Sequence, residues 1–502
     1  MLYETSLFPE RLYTFKHALT HEVAYGSLLQ ERRRLLHARI VAALEQHHTD
    51  RLAEVASGQS PDQVESLALH AFRGAVWDKA VTYGQQAGAR ARDRAAFRQA
   101  AIYFDQSLAA LGHLPDTPDT RGLAIDLRLG LAGSLNTLGE IERALALLRE
   151  AEALARAYDD RARLARVLAW LTYILRLRAD LTGALASAQQ ALTLATGLRD
   201  LALQVAASHF LGLAYWAVGD YGRAADLFRR NVAALEPGTG RPAPFLIHSR
   251  AWLAYTLSQL GQFTEGRLHG EEALRRATAE GRGDESMMAR LGLGRLYLAQ
   301  GDLEAAIRLL ERGLALCRAA DNWDAGRAIA ASLGYASALA GRLAEGCGLL
   351  EEALRESRRM GAPQAQSFYI AQLSAVCLLA GHVDEAFQHA QQALTLARQY
   401  GERGFEAEAL YQLGAVHAQA DPPEVAQSEA RYREAITLAE ELGLRPLQAH
   451  CHHGLGRLYA KNGRPEQACP ELSTAIALYR AMEMTFWLPR AEAALAQVEA
   501  RS

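Results

Sequence analysis

Residues 292–310 read GLGRLYLAQGDLEAAIRLL. The stretch divides at Gly301-Asp302. After the division Leu303, Ala306, Ile307, Leu310 and Leu314 fall at i, i+3, i+4, i+7 and i+11, the single apolar face of an α-helix. Glycine takes the left-handed conformation that ends a helix, and the polar residue behind it opens the next. The unit therefore reads as helix, turn, helix. Its first six residues recur at 454–459, and in both copies a glycine, Gly301 or Gly463, follows four residues after the tyrosine. QQALTLA occurs at 189–195 and 391–397, and EEALR at 271–275 and 351–355. The same punctuation stands at Gly139, Ala179, Gly219, Gly261, Gly301, Gly341, Gly381 and Gly463, with a degenerate copy at Ala420-Asp421. The period is about 40 residues, which marks a repeat architecture. No comparable run of alternating β-branched residues interrupts it, so the chain is expected to be all-α.

Composition narrows the function. The chain has 502 residues, half of them hydrophobic, and a formal charge of −3. That excludes the basic excess of a dedicated nucleic-acid binder. Lys16, Lys79 and Lys461 are its only lysines, and none follows a glycine. A Walker A phosphate loop, GxxxxGK[ST], cannot be written with these residues. GxSxG, HExxH and a glycine-rich strand-to-helix loop are also missing, so no enzymatic activity and no cofactor are expected. The five cysteines form no CxxC pair. His450-Cys451-His452-His453 places two imidazoles at i and i+3, but no further ligand completes a set nearby, and no metal site is expected. The first residues lack the basic start and apolar run of a signal peptide, and no window approaches 18 uninterrupted apolar residues. A cytoplasmic protein with no membrane or nucleic-acid contact is the expectation.

The repeat resembles the tetratricopeptide repeat (TPR). That family places Leu-Gly and an aromatic on its first helix, then alanines around a bulky residue on its second. Leu211-Gly212 with Tyr215 leads here to Ala224 and Phe228. Leu293-Gly294 with Tyr297 leads to Ala306 and Leu310, and Leu455-Gly456 with Tyr459 to Ala468, Leu472 and Ala475. In other copies Ala132, Thr172, Ala254 and Ser374 replace the glycine. The resemblance covers 63–484 and implies a right-handed superhelical solenoid of about ten repeats, closed by a capping helix at 485–502. It also implies a concave groove lined by the first helix of each pair. Carrying over the groove positions nominates Arg166, Tyr173, Arg176, His209, Trp216, Tyr255, Met288, Arg295, Tyr335, Phe368 and Tyr411. Rings offer rigid contact area and arginine forked hydrogen bonds, which suits capture of a protein segment or small effector.

Residues 1–62 break the period. Phe15 to Leu19, Tyr25, Leu28-Leu29, Arg32 to Arg34, Leu36-His37 and Ala42 to Glu45 form a string similar to the end of the ATPase and winged-helix module in bacterial STAND signalling ATPases. Leu69-His70-Ala71, Gly74, Trp77, Ala80 and Ala87-Gly88 resemble the segment C-terminal to that module in the group linked to class III adenylate and guanylate cyclases. The resemblance implies a short winged-helix-like remnant before the solenoid, with His17 at the position that senses nucleotide. It implies a non-enzymatic TPR sensor in bacterial signal transduction, with an ATPase or cyclase module as one partner. The alternative is a fragment of a multidomain nucleotide cyclase, or of a LuxR-type transcription regulator, whose catalytic domains lie elsewhere.

Overall fold

At Gly301 the backbone turns through φ +98°, and the Asp302 carboxylate accepts the Ala305 N–H at 3.0 Å. One helix ends and the next is capped within two residues. Asp160, Asp180, Asp200 and Asn322 cap four further helices in the same way, each accepting the backbone N–H three residues on. Every predicted turn residue from Gly139 to Gly381, and Gly463, has positive φ, including Ala179 at +59°. The degenerate copy differs: Ala420 is extended, and the chain is held there by Glu424 N–H donating to the His417 carbonyl at 3.0 Å.

The computed structural model describes residues 2–6, 12–15, 23, 25–52, 61–235 and 245–500. Among them are 23 helices, and 85% of the chain is helical. The fold is an all-α, TPR-like superhelical solenoid. The chain divides into two compact units, Met1–Leu131 and Ala132–Ser502. In the first, strands Leu2–Ser6 and Leu12–Phe15 pair antiparallel, with Leu2 opposite Phe15. Their alternation lasts four or five residues, too short to register in a sequence dominated by a helical period. Helices Gln30–Leu52 and Pro61–Arg73 come next, then the hairpin of Trp77–Asp93 and Phe97–Leu111.

The second unit is built from helix pairs. Packing inside a pair explains the sequence pattern. A Cβ at Gly212 would lie 2.7 Å from the Phe228 ring, and one at Gly294 would lie 2.8 Å from Leu310. Only a bare backbone lets the bulky residue of the second helix seat against the first. Ala224 and Ala306 on these second helices are fully buried, as are Ala468 and Ala475 in the copy where Gly456 meets Leu472. The unit coils tightly. Helix Arg161–Leu177 reaches the start of helix Gln366–Leu379, where Gln364 N–H donates to the Leu177 carbonyl at 3.2 Å. Helix Leu201–Val218 meets helix Arg403–Gln419, and helix Leu246–Leu260 meets helix Arg445–Lys461. Each contact joins elements about five helix pairs apart, which sets one coil of the superhelix. Helix Leu488–Glu499 ends the described chain and packs on helix Pro465–Ala481.

Leu201–Val218 is long and apolar enough to cross a membrane by composition alone. Here its apolar residues face neighbouring helices: Phe210, Leu211, Leu213 and Trp216 are all buried.

Candidate functional site

The first helices of successive pairs bring nine of the eleven nominated residues to cavities in the second unit. Tyr173, Arg176, Trp216, Tyr255, Met288 and Phe368 surround one of about 50 Å3. Arg295, Tyr335 and Tyr411 join Phe368 around a second, of about 100 Å3. Tyr335 and Tyr411 also reach the wall of a third, of about 550 Å3. The other two sit elsewhere. Arg166 is exposed on its helix and lines none of these cavities. His209 is buried against Phe210, Phe228 and Phe245, with Nδ1 3.1 Å from Ser249 Oγ. It packs between neighbouring first helices, and burial holds its imidazole well below the usual histidine range. His17 lies outside the described residues.

On the inner side of the coil, later pairs lie against earlier ones. Tyr173 Oη donates to Asp324 Oδ2 at 2.5 Å, and Asn136 Nδ2 donates to the same oxygen at 3.2 Å. Arg176 Nη1 donates to Gln364 Oε1 at 3.0 Å, and Arg327 Nη1 to the Gln364 carbonyl at 3.1 Å. Rings close the same gap: Trp216 meets Phe405 with centroids 5.7 Å apart. Arg295 lies over Phe368 at 4.6 Å and over Tyr255 at 5.2 Å. Burial pushes the Arg176 guanidinium below its ordinary value, while the Tyr173 phenol is pushed up by burial and the Asp324 carboxylate.

The smallest cavity is rich in hydrogen-bond donors. Arg176 Nε, Trp216 Nε1, Arg327 Nε and Gln364 Nε2 are buried there without a partner. All four residues are at most 4% exposed. Buried donors left unmade cost about 1–3 kcal/mol each, so the site favours a guest that carries acceptors.

Several of these residues carried no signal in the repeat pattern. Asp324, Arg327 and Ala328 stand at i, i+3 and i+4 near the start of the helix that carries Tyr335. Helical spacing places them on that residue's face, but the carried-over family positions lie later in the helix. Glu402 stands where a polar residue opens a helix, and it reads as a turn residue. Its carboxylate is instead fully buried and accepts the Ala365 N–H at 2.8 Å and the Ser367 hydroxyl. In the histidine run, His450 Nδ1 is 2.7 Å from Tyr479 Oη and His452 Nδ1 2.5 Å from Glu471 Oε2. No cluster of three metal-ligating side chains occurs among the described residues.

Tetratricopeptide-repeat family models match residues 207–242, 247–319 and 449–473. The chain contains tetratricopeptide repeats, and the matched stretches include the Gly212–Phe228, Gly294–Leu310 and Gly456–Leu472 pairings. None of the curated proteins matches it. Among solved structures it is similar to a Rap protein complexed with competence and sporulation factor. That likeness has 14% identity and a TM-score of 0.52, covering 74% of this chain and 99% of that one. It is also similar to the Cut9–Hcn1 hetero-tetramer of the APC/C, at 14% identity and a TM-score of 0.52, covering 97% of this chain and 96% of that one. At this identity the likeness is one of fold.

Proposed function

We propose that the chain is a non-catalytic TPR scaffold and sensor of bacterial signal transduction, cytoplasmic, which takes a protein segment or small effector into the inner side of its coil. The observation that carries this reading is the set of four unpartnered donors around Tyr173, Arg176, Trp216 and Phe368. The Rap protein of similar fold was solved with competence and sporulation factor, and we extend capture of such a partner to this chain. A cavity of about 50 Å3 is too small for a peptide. Uptake therefore needs the coil to loosen, and the guest must bind the loosened state more tightly than the closed one.

Ala328 lines the cavity and is half-buried. Ala328→Leu fills the space, at a cost of about 1–3 kcal/mol from overpacking. Libraries of short peptides and of metabolites, screened by thermal shift, are expected to yield a binder that the variant holds about tenfold or more less tightly. A binder held equally by both proteins would place uptake elsewhere.

A second reading is favoured by one surface. Helix Gln30–Leu52 and the residue before it leave Leu29, Leu35, Leu36 and Ile40 exposed, an apolar strip suited to a covering neighbour. In this reading the chain is the sensor arm of a larger ATPase or cyclase, with His17 at its nucleotide-sensing position. The native product should then have a mass well above 54.8 kDa in its own cells. A mass near that value rules the second reading out.

A further inference from the structure

The third cavity lies away from the donor-rich one and differs in chemistry. Its volume, about 550 Å3, falls in the range of small-molecule sites. Helix Arg445–Lys461 turns one face toward it, with His453, Arg457 and Lys461 at i, i+4 and i+8. Arg490, on helix Leu488–Glu499, lines it as well. Small residues, Ala493 and Ala494, leave the space open.

Three cations line this cavity and no aspartate or glutamate does. Among the described residues, none of Arg457, Lys461 and Arg490 has a carboxylate within ion-pair distance. Carboxylates are not scarce nearby: Arg433 pairs with Glu471, and Arg480 with Glu492. The unneutralised charge acts on its neighbours. Burial, then Arg457 and Arg490, holds the His453 imidazole down at about 4. Of the four tyrosine and tryptophan side chains that line it, Tyr335, Tyr411, Tyr432 and Trp487, two supply ring surface here: Tyr411 and Trp487. His453 Nε2 and Trp487 Nε1 are buried with no hydrogen-bond partner.

We propose that this cavity binds a small aromatic anion. The anionic group is held by Arg457, Lys461 and Arg490, and the ring lies against Tyr411 and Trp487. Guanidinium groups suit planar or multi-oxygen anions because their N–H fork bonds two oxygens at once. The site does not depend on the reading of the donor-rich cavity, and either can fail alone.

Two sources share this chemistry, aryl carboxylates and nucleoside monophosphates. Calorimetric titration with indole-3-acetate and with AMP separates them, with indole-3-acetamide and adenosine as uncharged controls. At least one anion should bind about tenfold or more tighter than its control, and should weaken as salt is raised. Arg457→Gln with Arg490→Gln should remove that preference. Both arginines are exposed, and Arg490 also lies over the Phe486 ring at 3.7 Å, so an unchanged melting temperature must accompany the loss. Ala493→Trp, at another exposed lining position, should block binding with the charges intact. The proposal is overturned if neither anion saturates the protein at millimolar concentration. It is equally overturned if the controls bind as well, or if the double variant keeps the preference.

Discussion

Trp216→Ala should destabilise the second unit by about 3–5 kcal/mol in a urea titration. The indole is 4% exposed and buries one of the larger apolar surfaces inside the coil. Its ring meets Tyr255 at 5.0 Å and Trp252 at 5.3 Å, both on the next first helix. It also meets Phe405, which lies five pairs further along the chain. The loss therefore has a local part and a part that ties one coil to the next. Phe405→Ala and the double variant separate them. Aromatic pairs contribute about 0.5–1.5 kcal/mol beyond their area, and residues in contact show coupling in that range or above. A coupling below about 0.3 kcal/mol would mean that the two rings are merely adjacent and the coil is held elsewhere. The same burial governs any binding test at this position. An alanine here perturbs the fold as well as the cavity, so Ala328→Leu is the cleaner probe of uptake.

The two scales of this molecule were not equally legible in its sequence. Gly212 with Phe228 and Gly294 with Leu310 could be paired by inspection, because packing inside a helix pair repeats with the sequence period and demands a small residue opposite a large one. Even degenerate copies solve the problem locally. Ser374 replaces the glycine and donates its hydroxyl to the Ala386 carbonyl at 2.7 Å on the second helix, and Thr172 donates to the Leu168 carbonyl at 2.8 Å within its own. Contacts between coils have no such signature. Tyr173 and Asp324 meet because small rotations between successive pairs accumulate over four of them. No residue spacing encodes that sum. The inward face of each first helix could thus be read, and nine nominated residues line cavities, while the closing of that face against itself could not. His209 shows the other failure. A groove position in the family pattern became a core residue, because Phe245 from the following helix start covers it.

Raising the pH from 5 to 8 should destabilise the protein through Glu402, by about 3 kcal/mol. The carboxyl is fully buried at the entry to helix Arg403–Gln419, and burial pushes it up to about 7 from 4.5. Hydrogen bonds from Ser367 and the Ala365 N–H, and the charges of Arg327 and Arg176, oppose that shift without cancelling it. The sign comes from proton counts. Between about 4.5 and about 7 the folded protein holds a proton that the unfolded chain has lost. Stability is therefore full below the unfolded value, falls as the pH rises toward 7, and levels off above it. Glu402→Gln removes the titration and keeps an amide oxygen to accept the Ala365 N–H. The difference in stability between the two proteins, followed by urea unfolding across this range, should move by about 3 kcal/mol in favour of the glutamine variant. Parallel profiles would show that Glu402 titrates normally despite its burial. Its position gives the effect a direction inside the coil. Glu402 holds the start of the helix whose Phe405 meets Trp216, and Ala365 and Ser367 flank the junction where Gln364 binds Arg176 and Arg327. Ionisation therefore acts where one coil meets the next, and the loosening proposed for uptake should become easier as the pH rises toward 7.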